Sequence, residues 1–531
     1  PVEATKSGRC FYKYVVRYSS FFLLGFLLII LFFSCNSDDT TNTSSDHSGS
    51  RVANGKALVK QYCQSCHMLP EPSMLNKKSW LKGVLPEMAP RLGIFSFGDI
   101  LYPRVTDGSI SPDFYPRRNL LTGLEWQSII DYFAAASPDS LPMQARGDSI
   151  KTGLPLFKVE IPDLNYENPA TCYVKINSGD FLHPLIISDA LKQKIYFINS
   201  NLAITDSVVD TGPIVDIDFI KNNLLACNIG MIGPNNGRYG KAILIKTDSK
   251  GHHEKNTTPI FDSLQRPVQM NSTDLNNDGK SDYLLSEFGY LTGTLSWMEN
   301  LGNNKFKKHS LRDLPGAIKF YIQDYNHDGL PDIWALFAQG DEGIFLFTNN
   351  GNGNFSQEEV LRFPPSYGSS YFELEDFNKD GYPDIIYTCG DNGDNSPVLK
   401  PYHGVYIFMN DKTNHFTQKF FFPIHGCYKA IARDYDGDGD LDIATISFFT
   451  DYIKQPEESF VYLKNTGNLE FQPYSFSGAD MGRWLTMDAG DIDGDGKIDL
   501  ILGNFSIVPG MAHKADWTHS PPFIILKNIG R

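Results

Sequence analysis

The sequence has no surplus of positive charge. Its 531 residues carry 62 acidic side chains against 47 basic ones, a formal net charge of −15. Nucleic acids are held by clustered Lys and Arg, so a nucleic-acid partner is not expected. The apolar run from Phe21 to Phe33 is also short, since a membrane-spanning helix needs about 20 residues. Disorder is excluded in turn, because 41% of the residues are apolar and 13% aromatic. A chain this long exceeds one small core and predicts two or three domains, or one large repeat architecture.

The short apolar run has a use of its own. Lys6, Arg9, Lys13 and Arg17 precede it, and it ends at Ser34-Cys35. A basic segment followed by a brief apolar one reads as a secretory signal. With Cys35 after a small residue, residues 1–35 resemble a bacterial lipoprotein signal, whose cysteine is lipidated and becomes the mature N-terminus. Phe32 departs from that pattern, which usually has Leu there. Asn36-Ser37-Asp38-Asp39 and a Ser/Thr/Asn/Asp tract to about Ser50 predict a flexible polar tether over 36–51. Acidic residues directly after the cysteine resemble surface lipoproteins of Bacteroidota-type bacteria. The expected address is the cell envelope, lipid-anchored to the outer membrane on its periplasmic or its surface side. The chain opens at Pro1 and not Met, so an upstream start is expected.

Cys63-Gln64-Ser65-Cys66-His67 is a C-x-x-C-H motif. Two thiols three positions apart can form thioethers with the vinyl groups of a haem, and the adjacent histidine then sits beneath the iron. A redox disulfide shares the spacing, and half a zinc site does too. Zinc needs a second ligand pair, and no nearby Cys pair or His cluster supplies one. In an exported protein, with an amphipathic helix at about Ala53 to Tyr62 leading in, one haem c is the expected cofactor. For the sixth iron ligand, Met68 is too close and Met74 is a tight reach. Met88 lies 21 residues after His67, in Leu85-Pro86-Glu87-Met88-Ala89-Pro90, and its loop could cross the haem edge. The stretch from Cys63 to Gly93 resembles a compact class I cytochrome c found fused to repeat domains. There a Met with Pro two residues earlier is the distal ligand, which implies Met88. Helical apolar spacing over Leu124 to Ala136, stopped by Ser137-Pro138, predicts the closing helix of a small all-α domain over 52–145.

Beyond residue 150 the chain repeats itself. Five segments align without gaps, starting at Asp274, Asp324, Asp376, Asp434 and Asp491, which are 50, 52, 58 and 57 residues apart. Position 3 is Asn276, Asn326, Asn378, Asp436 and Asp493, and position 5 is Asp278, Asp328, Asp380, Asp438 and Asp495. Gly stands at position 6, and position 9 is Asp282, Asp332, Asp384, Asp442 and Asp499. This is the first part of an EF-hand calcium loop, whose position 7 (here Lys280, Leu330, Tyr382, Asp440 and Lys497) ligates through its main-chain carbonyl. An EF-hand proper is excluded. Its position 12 must be Glu, and here it is Leu285, Ala335, Tyr387, Thr445 and Leu502. Each loop also runs into a strand-like apolar run rather than a helix. The alternative is a set of polar turns held by Asx hydrogen bonds. The five loops bring 17 carboxylates to ligand positions, however, and such crowding is unfavourable without a cation. Up to five Ca²⁺ ions are expected, which would move the net charge from −15 to −5.

After each loop come an apolar strand, Asn with Gly, and then Phe, as in Trp297 to Phe306, Phe347 to Phe355 and Tyr462 to Phe471. The Asn/Gly pairs supply the positive φ of hairpin turns. Loop, strand, long connection, strand, hairpin and strand, with the strand before the next Asp as the fourth, make a β-propeller blade of about 50 residues. The stretch resembles the FG-GAP/VCBS repeat family of integrin-type propellers. Two degenerate units, around Gly179-Asp180 and Asp216 to Ala226, bring the count to seven blades over 150–531. The chain stops mid-blade at Phe523 to Gly530, so a strand around Leu154 to Ile161 must close the ring. The expected fold class is therefore a small all-α cytochrome c domain followed by an all-β seven-bladed propeller.

The leading functional expectation is a membrane-tethered electron-transfer protein, its haem carried on a calcium-rigidified propeller that recognises a redox partner protein or an extracellular ligand. In that family the metal loops share one face and the long connections the other. The long connections 388–404, 447–459 and 503–521 carry Asp391, Asp394, His403, Asp451, His513, Trp517 and His519 as candidate recognition residues. An oxidoreductase with a catalytic site in the propeller is the second reading. Against it stand the absence of Trp-docking repeats of the quinoprotein kind and of a second haem signature. A surface adhesin or glycan-binding module is the third. Lys319, Lys429 and Arg483 are expected near the central channel, and Cys389 with Cys427 is a candidate disulfide.

Overall fold

The structure, a computed structural model, describes residues 44–530 apart from 165, 181, 210, 256, 394–396 and 508–516. Cys35, the signal and most of the tether lie outside the described residues, as do Asp394 and His513. Among the described residues no helix is long and apolar enough to cross a membrane.

Four antiparallel strands recur seven times, over residues 171–209, 214–264, 267–312, 317–362, 369–423, 427–475 and 484–528. The second and third strands of a blade are covered on both faces and read as apolar runs. In the fourth blade Asp332–Phe337 is buried throughout, while the outermost strand Phe355–Arg362 is largely exposed. The seventh blade has three strands of its own and takes its fourth from the other end of the chain. Phe157–Glu160 pairs antiparallel with Phe523–Asn528, so the ring closes as expected. The phase differs from the sequence expectation. The strand before each Asp-rich loop belongs to the blade that follows it, because it pairs with the strand just beyond the loop, as Pro267–Thr273 does with Asp282–Glu287. Each loop therefore joins the innermost strand of a blade to the second.

Side chains of the inner strands lace neighbouring blades together. Asp216 accepts the Met270 N–H at 3.1 Å and Asp218 the Ser272 N–H at 2.9 Å. Gln269 bonds both the N–H and the C=O of Phe320. Glu373 accepts the Ala432 N–H at 3.1 Å, and Asp488 crosses the ring closure to the Ile176 N–H at 2.8 Å. Pairing buried backbone and side-chain groups this way removes the cost of leaving them unsatisfied.

The helical unit is built on the crossing of Ser44–Tyr62 with Gly123–Ala136. Gly55 permits it, since a Cβ there would lie 1.9 Å from the Ser128 carbonyl oxygen. The first helix starts inside the stretch expected to be tether, because no proline between Ser44 and Tyr62 interrupts it. The second opens on a capping box between Thr122 and Glu125 and stops at Ser137. Leu58, Val59, Trp80, Trp126, Ile129 and Phe133 form the core of the unit.

This unit is docked on the propeller. Val398, from the fifth blade, packs on the helical core. Tyr402 Oη donates to the Met74 carbonyl at 3.0 Å, and Ser366 Oγ to Met74 Sδ at 3.4 Å. In the linker, Gln144 Nε2 donates to the His403 carbonyl at 2.8 Å, and Arg146 pairs with the fully buried Glu458 at 2.6 Å. All these propeller residues belong to the connections on the face opposite the Asp-rich loops.

Candidate functional site

Cys63 begins a 3-10 turn, Cys63–Ser65, directly after the first helix, and Cys66 and His67 follow it. Both cysteines are free thiols, Cys63 half-buried and Cys66 exposed. Burial, with Cys66 beside it, pushes the Cys63 thiol up to about 11. His67 Nδ1 lies 2.9 Å from the Met68 carbonyl oxygen. With Nδ1–H donating there, Nε2 carries the free lone pair. Burial lowers the His67 pKa, the hydrogen bond to the Met68 carbonyl works against it, and the Arg362 guanidinium of the fourth blade adds to the lowering. Two free thiols and an imidazole oriented by its own hydrogen bond are a donor set that fits haem c. Met88 ends the helix Leu85–Met88 and is half-buried. The Met74 sulfur takes the hydroxyl of Ser366, which leaves Met88 as the better distal candidate.

The Asp-rich loops share one geometry. Position 1 receives main-chain N–H groups: Asp274 accepts from Asp278 at 3.1 Å and Gly279 at 2.8 Å, and the other four repeat the pattern with small variations. Position 5 accepts the N–H of position 7, as Asp328 does from Leu330 at 2.8 Å. Left-handed backbone occurs at position 6, the glycine, and also at position 4: Asn277, His327, Lys379, Gly437 and Gly494. Carboxylate oxygens of Asp434, Asp436 and Asp438 lie within 4.8 Å of one another, and so do those of Asp491, Asp493 and Asp499. Hard oxygen donors brought this close suit a Ca²⁺ ion.

Position 9 has a structural partner that the spacing did not reveal. Asp282, Asp332, Asp384, Asp442 and Asp499 are essentially unexposed. Each accepts, at 2.7–2.8 Å, the N–H of an Asn on the third strand: Asn300, Asn349, Asn410, Asn465 and Asn528. The same Asn accepts from the hairpin beyond, as Asn349 does from Gly351. The recurring Asn is thus a tie between loop and hairpin as well as a turn residue. Burial pushes Asp442 and Asp499 up to about 6.

Charge is balanced differently among the five blades. Where position 3 is Asp, the third strand offers a lysine to it: Lys464 pairs with Asp436 and Lys527 with Asp493. Where position 3 is Asn, the matching strand residue is Glu299, Thr348 or Met409. The two extra carboxylates of the last loops are therefore offset by the protein itself.

Several sequence expectations are corrected. Cys389 and Cys427 are separate buried thiols, donating to or sharing hydrogen bonds with the Tyr402 carbonyl at 3.4 Å and Thr445 Oγ1 at 3.3 Å. Arg483 does not face the channel. Its guanidinium stacks 4.1 Å from the Phe448 ring centroid and Nε donates to the Phe448 carbonyl at 3.0 Å. His403 and Trp517 are buried, His403 beneath the linker, so neither is open for recognition. His519 and Ile453 remain exposed on that face, and Asp451 is half-buried.

No curated protein matches the chain. Among solved structures, it is similar to BBS1N in a complex with ARL6DN, at 10% identity over 72% of this chain and 98% of that one, TM-score 0.42. It is also similar to Sqt1 of Saccharomyces cerevisiae, at 7% identity over 70% of this chain and 99% of that one, TM-score 0.43. Residues 274–335, 324–387 and 434–502 match the FG-GAP-like repeat. The seven-bladed propeller carries FG-GAP-like repeats.

Proposed function

We propose that this chain is a partner-binding propeller whose helical unit holds one haem c for electron transfer, on a scaffold tied by Ca²⁺. The FG-GAP-like propeller is a fold consistent with a ligand- or partner-binding module. The observation that carries the haem assignment is the His67 ring, oriented by the Met68 carbonyl, next to two free thiols. Cys63 and Cys66 would attach the group, and His67 Nε2 and Met88 would ligate it. A bound haem supplies a one-electron couple. Here the chain's own residues hold the imidazole in one tautomer and keep Met74 turned toward the propeller. Lipidation at Cys35 would place the protein on the outer membrane.

The second reading is a surface adhesin or glycan-binding module, favoured by the FG-GAP-like repeats alone. Expression of the full chain in a host competent for cytochrome c maturation separates the two. The haem reading expects a pyridine haemochrome spectrum of c type that survives denaturation. It expects none from Cys63→Ala/Cys66→Ala. A wild-type chain without covalent haem leaves the binding module standing alone.

A further inference from the structure

Each inner strand carries a β-bulge at the same point, and the residue after the bulge faces the channel. From the fourth to the sixth blade those residues are Lys319, Tyr371 and Lys429. Both ammoniums lie near the Tyr371 ring, whose centroid is 5.9 Å from Lys319 Nζ and 4.7 Å from Lys429 Nζ, and Lys319 Nζ is 4.9 Å from that of Tyr321. Among the described residues neither ammonium makes an ion pair or a hydrogen bond.

The carboxylates that share the channel are engaged elsewhere. Asp488 holds Lys175 at 3.1 Å together with the Ile176 N–H. Glu373 and Glu375 hold Arg433, at 3.2 and 2.7 Å. Asp216 and Asp218 accept main-chain N–H groups of the third blade, and burial pushes Asp216 up to about 6. The tyrosine hydroxyls are likewise taken. Tyr321 donates to the Phe372 carbonyl at 3.1 Å and Tyr371 to Glu373 at 3.0 Å.

Asp216, Glu373 and Asp488 attract the two ammoniums through the channel, but none of them contacts either one. A small oxyanion would supply the short charge-assisted contact that these carboxylates do not make. Burial, with Lys319 adding its charge, pushes Lys429 down to about 8 despite the pull of Asp488, and burial lowers Lys319 as well. The ring face gives each ammonium partial compensation, far less than an anion would.

We infer that the propeller channel binds a small oxyanion, a carboxylate or a phosphate, between Lys319 and Lys429. The lysines supply compact, multiply donating charges, and Tyr321 and Tyr371 supply an apolar wall. The inference is independent of haem and of calcium.

The test is calorimetric titration of the full chain at pH 7 with inorganic phosphate, sulfate, acetate and succinate in turn, which separates phosphate from carboxylate. At least one should bind, and Lys319→Gln/Lys429→Gln should weaken it tenfold or more. Lys175→Gln, whose lysine is already paired with Asp488, should bind as wild type does. Reductive ¹³C-methylation of the wild-type lysines provides a readout that no folding defect can confuse. Two methyl signals that titrate at lower pH than the surface lysines should move on adding the anion that gives heat. The inference is overturned if no anion gives heat or shifts those signals, if the double variant binds as wild type does, or if Lys175→Gln loses as much.

Discussion

Asp332 Oδ1 accepts the Asn349 N–H at 2.7 Å from a position with no exposed surface, while its other oxygen takes the Tyr325 N–H at 3.4 Å. That bond fastens the loop of the fourth blade to its third strand whether or not an ion is present. Asp328, four residues earlier, is exposed and bonds only within the loop. The two carboxylates should therefore respond differently to metal. Asp332→Ala strands the buried Asn349 N–H and should cost about 3 kcal/mol even in chelator, with the loss of a ligand added to it in calcium. Asp328→Ala should cost little in chelator and should forfeit one ion's stabilisation, about 2.7 kcal/mol at a hundredfold excess over Kd. Urea unfolding of both variants with EDTA and with CaCl₂ decides it. Equal losses for Asp328→Ala in both buffers would show a metal-free turn.

The lysines of the last two blades make a second prediction. The Asp436 side chain is 2% exposed and paired with Lys464. Lys464→Met removes the ammonium that offsets that buried carboxylate, a loss of about 3 kcal/mol. A cation in the loop would relieve the same charge, so the loss should be smaller in calcium than in chelator. By linkage, calcium affinity of that blade should rise in the variant. Asp436→Asn/Lys464→Met, which copies the polarity of the third to fifth blades, should recover most of the stability. Identical losses in the two buffers would make the pair a plain ion pair unconnected with metal.

What the sequence disclosed was what recurs locally. The Asp/Gly spacing, the apolar runs and the Asn/Gly turns each sit within ten residues, and they gave seven blades and the strand that closes the ring. The helix Gly123–Ala136 was legible for the same reason, through its period and its stop. Partners far apart in the chain were not legible. The tie from Asp332 to Asn349 joins two motifs that each read as complete alone. Lys464 looks like an ordinary strand residue until Asp436 is placed beside it. Met74 read as an iron ligand at tight reach because nothing in its surroundings announces Tyr402 or Ser366, some 300 residues away. Left-handed backbone at His327 and Lys379 was hidden too, since these residue types rarely adopt it.

Ring closure rests on a strand whose anchor is Phe157. Its ring lies edge-on to Tyr435 and Tyr462, with centroids 5.6 and 5.3 Å away, and it is 5% exposed. Those tyrosines belong to the sixth blade, so one side chain joins the closing strand to the blade beside it. Phe157→Ala should cost about 3–5 kcal/mol and should speed hydrogen exchange in Phe523–Asn528 before the other blades. A change below 1 kcal/mol, or exchange that rises evenly around the ring, would show that the closure does not depend on this anchor.

Acid dependence should be readable in the channel, at Asp216. Its ordinary pKa of 3.8 is pushed up to about 6, chiefly by burial, with Lys319 and the Met270 N–H pulling the other way. An acid whose folded pKa is raised binds its proton more tightly in the native state than in the unfolded chain. Its contribution to stability is complete below about pH 4 and is lost as the pH climbs through about 6. Asp216→Asn keeps an oxygen for the Met270 N–H but has no proton to lose. Between pH 4 and pH 7 the wild type should therefore lose about 2 kcal/mol more than the variant does. Calcium is held saturating throughout, so that the loops contribute equally to both chains. Urea unfolding at four pH values across that range measures the difference, and parallel profiles would mean that Asp216 keeps an ordinary pKa.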